Sequence, residues 1–261
     1  MKILRFQYRS DNPSYGWLHE DSVGYINGDP YSTYRRVEAT MPKSQVKILA
    51  PVTPSKIVGI SNNYLSGLTE QDQAIPEIPD LYLKPVSAII GINQTVLIPQ
   101  QVKKIAFSAE LGVIIGKTTH WTPIAEIKDH IFGYTGVLNF SAPEITTSEP
   151  HSGNLTRSYG FDTFCPVGPY ITTDVNANDL LVSSFLNNQL VGMITTHEMV
   201  FNISQIIAFI STIMTLIPGD LVLTGGLMYQ GNLQPKDRVE MEIQEIGRLS
   251  VEIAEAAPMK I

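Results

Sequence analysis

Apolar runs of strand length, closed off by turn residues and seldom spaced by a helix-length amphipathic stretch, constrain this chain more than any other feature. Residues 57–60, 88–90, 95–98 and 111–115 fit buried strands. Residues 180–182 and 187–191 follow, and 221–223, 238–243 and 249–253 close the chain with strand again. Regular βαβ repeats are few, so a doubly wound sheet is not expected. The pattern predicts an α+β, mostly β fold, a strand-dominated core with peripheral helices. A short helix is expected over 122–129, with Pro123 in its first turn and Glu126 near the positive end of its dipole. A second is expected from about Val200. Turn signals at Asn12-Pro13 and Asn27-Gly28-Asp29 punctuate the start, so residues 1–50 read as a small β-rich domain and 51–261 as the main one.

With 261 residues, 43% of them hydrophobic and 16% charged, the chain can bury one large core. A net charge of −7 argues against nucleic acid or an anionic membrane as partner, since both select a basic face. The single cysteine, Cys165, excludes an internal disulfide and fits a reducing, cytoplasmic setting. The opening residues turn polar after four positions, so no signal peptide is expected. The most apolar stretch, 200–217, is interrupted by Asn202, Ser204, Gln205 and Ser211, and reads as a buried helix rather than a membrane span.

Some tempting motifs are empty. The run from Gly112 to Thr118 resembles a phosphate loop, but it is one residue short between its glycines. Its β-branched interior reads as strand. The five histidines show no zinc spacing. Cys165, between Phe164 and Pro166, reads as a small core residue rather than a nucleophile.

Six phrases in order carry more weight: Lys56 to Gly59 with Asn63-Tyr64; Leu83-Lys84-Pro85-Val86-Ser87-Ala88; Ala109-Glu110-Leu111 on to Gly116; Gly133-Tyr134-Thr135; Gly160-Phe161-Asp162 on to Pro169; and Pro218-Gly219-Asp220 to Leu223-Thr224-Gly225. From about residue 50 onward the chain therefore resembles the fumarylacetoacetate hydrolase family. The resemblance implies a mixed β-roll core, usually a homodimer, and a site that holds Mg²⁺ or Mn²⁺ through carboxylates. It also implies 1,3-dicarbonyl or 2-oxo acid substrates, which are hydrolysed, decarboxylated or isomerised. A divalent cation suits these reactions because each develops an enolate.

Carried over position by position, the resemblance fails at the chemical residues. The family's two metal-binding glutamates fall on Ser108 and Glu110, and its aspartate on Asn139. The histidine of its lid dyad falls on Gly67, while Glu70 keeps the glutamate. The substrate-binding arginine falls on Pro143, a lysine on Tyr159, and the Thr-Gly-Thr-Pro turn reads Thr224-Gly225-Gly226-Leu227. One carboxylate, a hydroxyl and an amide in place of three carboxylates should weaken Mg²⁺ binding by roughly three orders of magnitude or more. No cofactor is expected; Mg²⁺, Mn²⁺ or Ca²⁺ would bind weakly, calcium tolerating neutral ligands best.

The expected catalytic set is Glu110 as acid or base, Tyr159 as phenol donor, Lys84 as a nearby cation and Glu70 as a second base. Tyr64, Asn139, Pro143, Thr224, Leu227 and Met228 are expected to line the substrate site, the apolar replacements implying a larger, greasier ligand. Three of these have a plain alternative: Glu110 as a core hydrogen-bond acceptor, Lys84 as a structural residue, Glu70 in a solvated loop. The leading expectation is a metal-independent isomerase, lyase or cyclase acting on a polyketide- or diketone-like molecule, with specialised biosynthesis as its setting. A metal-dependent hydrolase or decarboxylase, and a non-catalytic ligand-binding or subunit-stabilising homologue, are the competitors.

Overall fold

The computed structural model describes residues 1–70, 74–147 and 154–257, the side chains of Glu70 and Thr147 excepted. Seven strands position the site: β1 (Lys2–Tyr8), β2 (Ile57–Ser61), β3 (Asp80–Lys84), β4 (Ala106–Ile115), β5 (Ile131–Ser141), β6 (Cys165–Thr172) and β7 (Leu221–Leu223). Three helices accompany them: α1 (Leu65–Glu70), α2 (Leu155–Tyr159) and α3 (Ile203–Ile213).

The seven strands lie in one large, mixed sheet in the order β1-β6-β5-β4-β7-β2-β3. β4 and β5 pair antiparallel through ten residues of β4, setting Ser108 opposite Asn139 and Glu110 opposite Val137. β7 joins β2 in parallel, while β2 and β3 run antiparallel with Gly59 opposite Tyr82 and Ile57 opposite Lys84. A second sheet of five strands runs in the order Thr95–Ile98, Gly247–Glu255, Arg238–Ile243, Leu181–Leu186, Gln189–Thr195. The largest core packs Phe107, Leu111, Leu138 and Phe140 of the first sheet against Val239, Met241, Leu249 and Val251 of the second. Ile206, Ile207 and Ile210 of α3 join the same core. Both β4 and β5 are buried on both faces, which explains their near-continuous apolar sequences.

α3 starts at an Asn202–Gln205 capping box rather than at Val200, because the Asn202 side chain takes up the amide of Gln205. The helix expected over 122–129 is a series of turns ending in a short 3₁₀ segment, Ile127–His130. There the backbone is tied sideways instead of upward: Trp121 N–H donates to the Ser211 carbonyl and Thr122 N–H to the Ser211 hydroxyl. The strand expected over 187–191 begins at Gln189, since Asn187 and Asn188 take positive φ and form the hairpin turn from Leu181–Leu186. β1 hydrogen-bonds to β6 through Lys2 and Ile3, and Ile3 shares a second core with Ile57, Ile114 and Val137.

Candidate active site

The site gathers on the face of β4 and β5 turned away from the main core. Residues two apart on a strand share a face, so Ser108 and Glu110 point the same way, and the register brings Asn139 across to them. All three are at least 98% buried. Glu110 Oε1 accepts from Ser108 Oγ (2.6 Å) and Asn139 Nδ2 (2.7 Å), and its Oε2 accepts from the Gly225 N–H (2.9 Å). Gly225 has φ +82°, a conformation side-chain-bearing residues rarely adopt, and that backbone aims its amide at the carboxylate.

Lys84 supplies the charge that balances Glu110. Its Nζ donates to Asn139 Oδ1 (2.8 Å) and to the carbonyls of Phe140 and Phe164 (3.0 Å each), so all three ammonium protons are used. Asn139 is the bridge, accepting from the ammonium on one side and donating to the carboxylate on the other. The lysine fixes this orientation, since the flipped amide would set NH₂ against NH₃⁺. Burial pushes Glu110 above the ordinary carboxylate range, opposed by Ser108, Asn139, Gly225 and Lys84. Burial pushes Lys84 down to about 8.

Two phenols stand beside the carboxylate. Tyr82 Oη accepts the second Asn139 Nδ2 proton at 2.6 Å, and its ring stacks on Tyr159 with centroids 4.3 Å apart. Tyr82 fits because Gly59 lies opposite; a Cβ there would fall 2.2 Å from its ring. Burial raises both phenols, Tyr159 to about 12, so both keep their protons at neutral pH. Tyr64 is also buried. Its hydroxyl lies near Thr224 but makes no hydrogen bond of good geometry among the described residues.

Ser108, Glu110, Tyr64, Tyr82, Tyr159 and Met228 are among the residues around a cavity of about 70 Å³. That holds a few waters and is well below the roughly 300–1,000 Å³ of ordinary ligand pockets. α1 borders the cavity and contributes Gly67 and Leu68 to the lining. Its entry is pinned by Asn63, which donates to the carbonyls of Thr224 and Phe201 and accepts from Phe201 N–H. A Cβ on Gly67 would meet only Leu227 Cδ1, at 3.8 Å.

The structure thus gathers Glu110, Tyr159, Tyr64, Ser108 and Met228 around one cavity, with Asn139 and Lys84 directly behind it. Thr224 is fully buried and spends its hydroxyl on the Leu111 carbonyl. Pro143 and Leu227 do not line the cavity; Pro143 opens the helix Pro143–Thr147 and Leu227 packs beside α1. Of the apolar replacements, Met228 alone faces the cavity among the described residues. Glu70 ends α1, and its side chain lies outside the described residues. Tyr82 and Asn63 are the residues that sequence reasoning missed. The period of two was the available signal for Tyr82, which shares a strand face with Lys84.

The family's cation does not fit this donor set. Magnesium asks for a near-octahedral shell of oxygens. Here the acceptor oxygen of Asn139 is taken by an ammonium, its NH₂ faces Glu110, and Ser108 turns its proton to the same carboxylate. Among the described residues no cluster of three His, Cys, Asp or Glu side chains is disposed around a common point.

Residues 56–254 match the model of the fumarylacetoacetate hydrolase C-terminal domain, and residues 1–51 match that of the Rv2993c-like N-terminal domain. The chain belongs to the fumarylacetoacetate hydrolase family. It is 36% identical to Protein Rv2993c of Mycobacterium tuberculosis, over 85% of this chain and 83% of that one. It is 32% identical to the mitochondrial oxaloacetate tautomerase Fahd2a of Rattus norvegicus, over 79% of this chain and 69% of that one. The crystal structure of a 2-hydroxyhepta-2,4-diene-1,7-dioate isomerase from Mycobacterium marinum superposes with a TM-score of 0.89 at 30% identity, covering 99% of this chain and all of the other. The mostly β fold is the family's, and its members named here include isomerases and tautomerases. Among the described residues no helix is long and apolar enough to cross a membrane.

Proposed function

We propose that this chain catalyses proton transfer next to a carbonyl group, as a tautomerase or isomerase working without a divalent cation. The carrying observation is the state of Glu110. Three of the roughly four lone-pair directions of its carboxylate are filled, and the group stands at the wall of the cavity with a raised pKa. The remaining direction is free to take a proton from carbon. A buried, poorly solvated carboxylate is a stronger base toward a weakly acidic C–H than one in water. Tyr159 donates a hydrogen bond to the enolate oxygen, and Glu110, once its proton has exchanged with water, returns a proton to carbon or oxygen. The rat protein is named a tautomerase and the M. marinum protein an isomerase; keto–enol exchange and double-bond migration are both shifts of this kind. Ring closure or loss of water from a diketone- or polyketide-like substrate begins at the same enolate.

Solvent-deuterium incorporation into a panel of enolisable carbonyl compounds, followed by proton NMR, tests this reading. Glu110→Gln should lower the exchange rate by roughly 10²–10⁴-fold. A Glu110→Gln protein that exchanges as fast as wild type removes Glu110 from the mechanism.

A second reading, a non-catalytic binding protein, draws on the mutual satisfaction of Lys84, Asn139 and Glu110. It requires that no compound in the panel be turned over by the wild type.

The lysine also predicts a pH dependence. With Lys84 at about 8 when folded and an ordinary value near 10.4 when unfolded, the unfolded chain binds more protons between these limits. This group's contribution to stability therefore rises with pH across that window. Exchange activity should move oppositely, falling above about pH 8 as the cation behind Asn139 is lost. A pH–rate profile beside thermal unfolding at the same pH values checks it; activity flat to pH 10 would separate Lys84 from catalysis.

A further inference from the structure

The charges around the cavity say which carbonyl compounds the site can hold. None of the described residues lining it is an arginine, lysine or histidine, and one, Glu110, is a carboxylate. Lys84 lies directly behind and has spent its three protons on Asn139, Phe140 and Phe164. Arg157 shares α2 with Tyr159 but is exposed and lies off the cavity. A substrate carboxylate entering here would give up its water, find no cation among the described lining residues, and stand beside Glu110.

For a neutral oxygen the cavity is well equipped. Tyr82 accepts from Asn139, which leaves its own proton without an acceptor among the described residues and, by polarisation along the chain of bonds, makes it a better donor. Its ring lies 4.3 Å from that of Tyr159, so two phenol groups border the same cavity as the base. A 1,3-dicarbonyl presents two oxygens and an acidic carbon between them, which matches two donors and one carboxylate.

We propose that the substrate is an uncharged 1,3-dicarbonyl compound, and that Tyr82 is a catalytic residue which shares its enolate oxygens with Tyr159. This rests on the proton-transfer reading and narrows it. In the step, Glu110 takes the proton from the central carbon, the C–H electron pair forms the C=C bond, and the carbonyl π pair moves to oxygen. The two phenols hold that oxygen by hydrogen bonds. Glu110 exchanges its proton with water and returns a proton to oxygen or carbon, so nothing is oxidised or reduced.

Deuterium exchange into acetylacetone and into oxaloacetate, each divided by its uncatalysed rate, provides the test. Wild type should accelerate acetylacetone at least about tenfold more than the dianion. Tyr82→Phe should cut the acetylacetone rate roughly 10–100-fold, the scale of losing one donor to a developing oxyanion. Met228→Lys, which sets a cation in the half-buried lining, should shift the ratio toward oxaloacetate. Equal or greater acceleration of oxaloacetate by wild type overturns the proposed substrate class while leaving proton transfer standing. Acetylacetone exchange that survives Glu110→Gln removes Glu110 as the base while leaving the substrate class standing. If neither probe is accelerated, calorimetric binding decides: acetylacetone bound in preference to oxalate supports the charge preference, and oxalate bound as tightly or more tightly overturns it.

Discussion

Lys84→Met should be among the most destabilising single substitutions in the protein, costing about 3–5 kcal/mol. The methionine fills much of the volume but strips donors from Asn139 Oδ1 and the carbonyls of Phe140 and Phe164. It also leaves Glu110 as a buried carboxylate with no cation, and that group would take up a proton rather than stay charged. In a chain of this size the midpoint of thermal unfolding should fall by roughly 6–20 °C. The double variant Lys84→Met/Glu110→Gln should recover part of the loss, because removing the unpaired charge removes its penalty. That coupling, read from a double-mutant cycle, separates a charge pair bridged by Asn139 from two independent buried residues. A melting point within two degrees of wild type for Lys84→Met would refute the pairing.

Asn139→Asp tests whether the site's amide–carboxylate pairing is what keeps a cation out. An aspartate there can still meet Lys84, but it withdraws the donors to Glu110 and Tyr82 and sets two carboxylates against each other. One proton would be shared between them, and stability should drop by about 2–4 kcal/mol. Adding Ser108→Glu completes a three-carboxylate cluster on the β4–β5 face. Millimolar Mn²⁺ should then raise the melting temperature of the double variant by several degrees and bind measurably in calorimetry, while leaving wild type unmoved. Micromolar Mn²⁺ binding by wild type, one ion per chain, would show that Ser108, Glu110 and Asn139 rearrange into a ligand set after all.

Much of this was legible beforehand because the relevant signals are local. The apolar run around Glu110 could only be a buried strand, and the surrounding phrases fixed which residue occupied each chemical position. What was hidden depends on who faces whom. Lys84 looked like a cation available to a ligand, and only the fold shows Phe140 and Phe164 turning their carbonyls onto it. Tyr82 carried no signal of its own in the sequence, because the space for its ring is opened by Gly59, from another strand. Pro143 and Leu227 suggested a greasy pocket, yet sequence cannot tell a residue in a pocket wall from one packed beside a bordering helix. The segment after Pro123 had the composition of a helix start, but lateral ties to Ser211 outcompeted the first turn.

β4 and β5 are written in two interleaved registers. Phe107, Ala109 and Leu111, with Leu138 and Phe140, face one way and hold the sheets together; Ser108, Glu110 and Asn139 face the other and carry the reactive groups. Neighbours in sequence therefore answer to different pressures. A lineage can rewrite every second letter and exchange one chemistry for another, while the letters between preserve the architecture. Scaffold phrases surviving around altered reactive positions are what such a strand pair leaves behind. New activities on this frame should accordingly be sought by varying alternate residues together, with their intervening partners left alone.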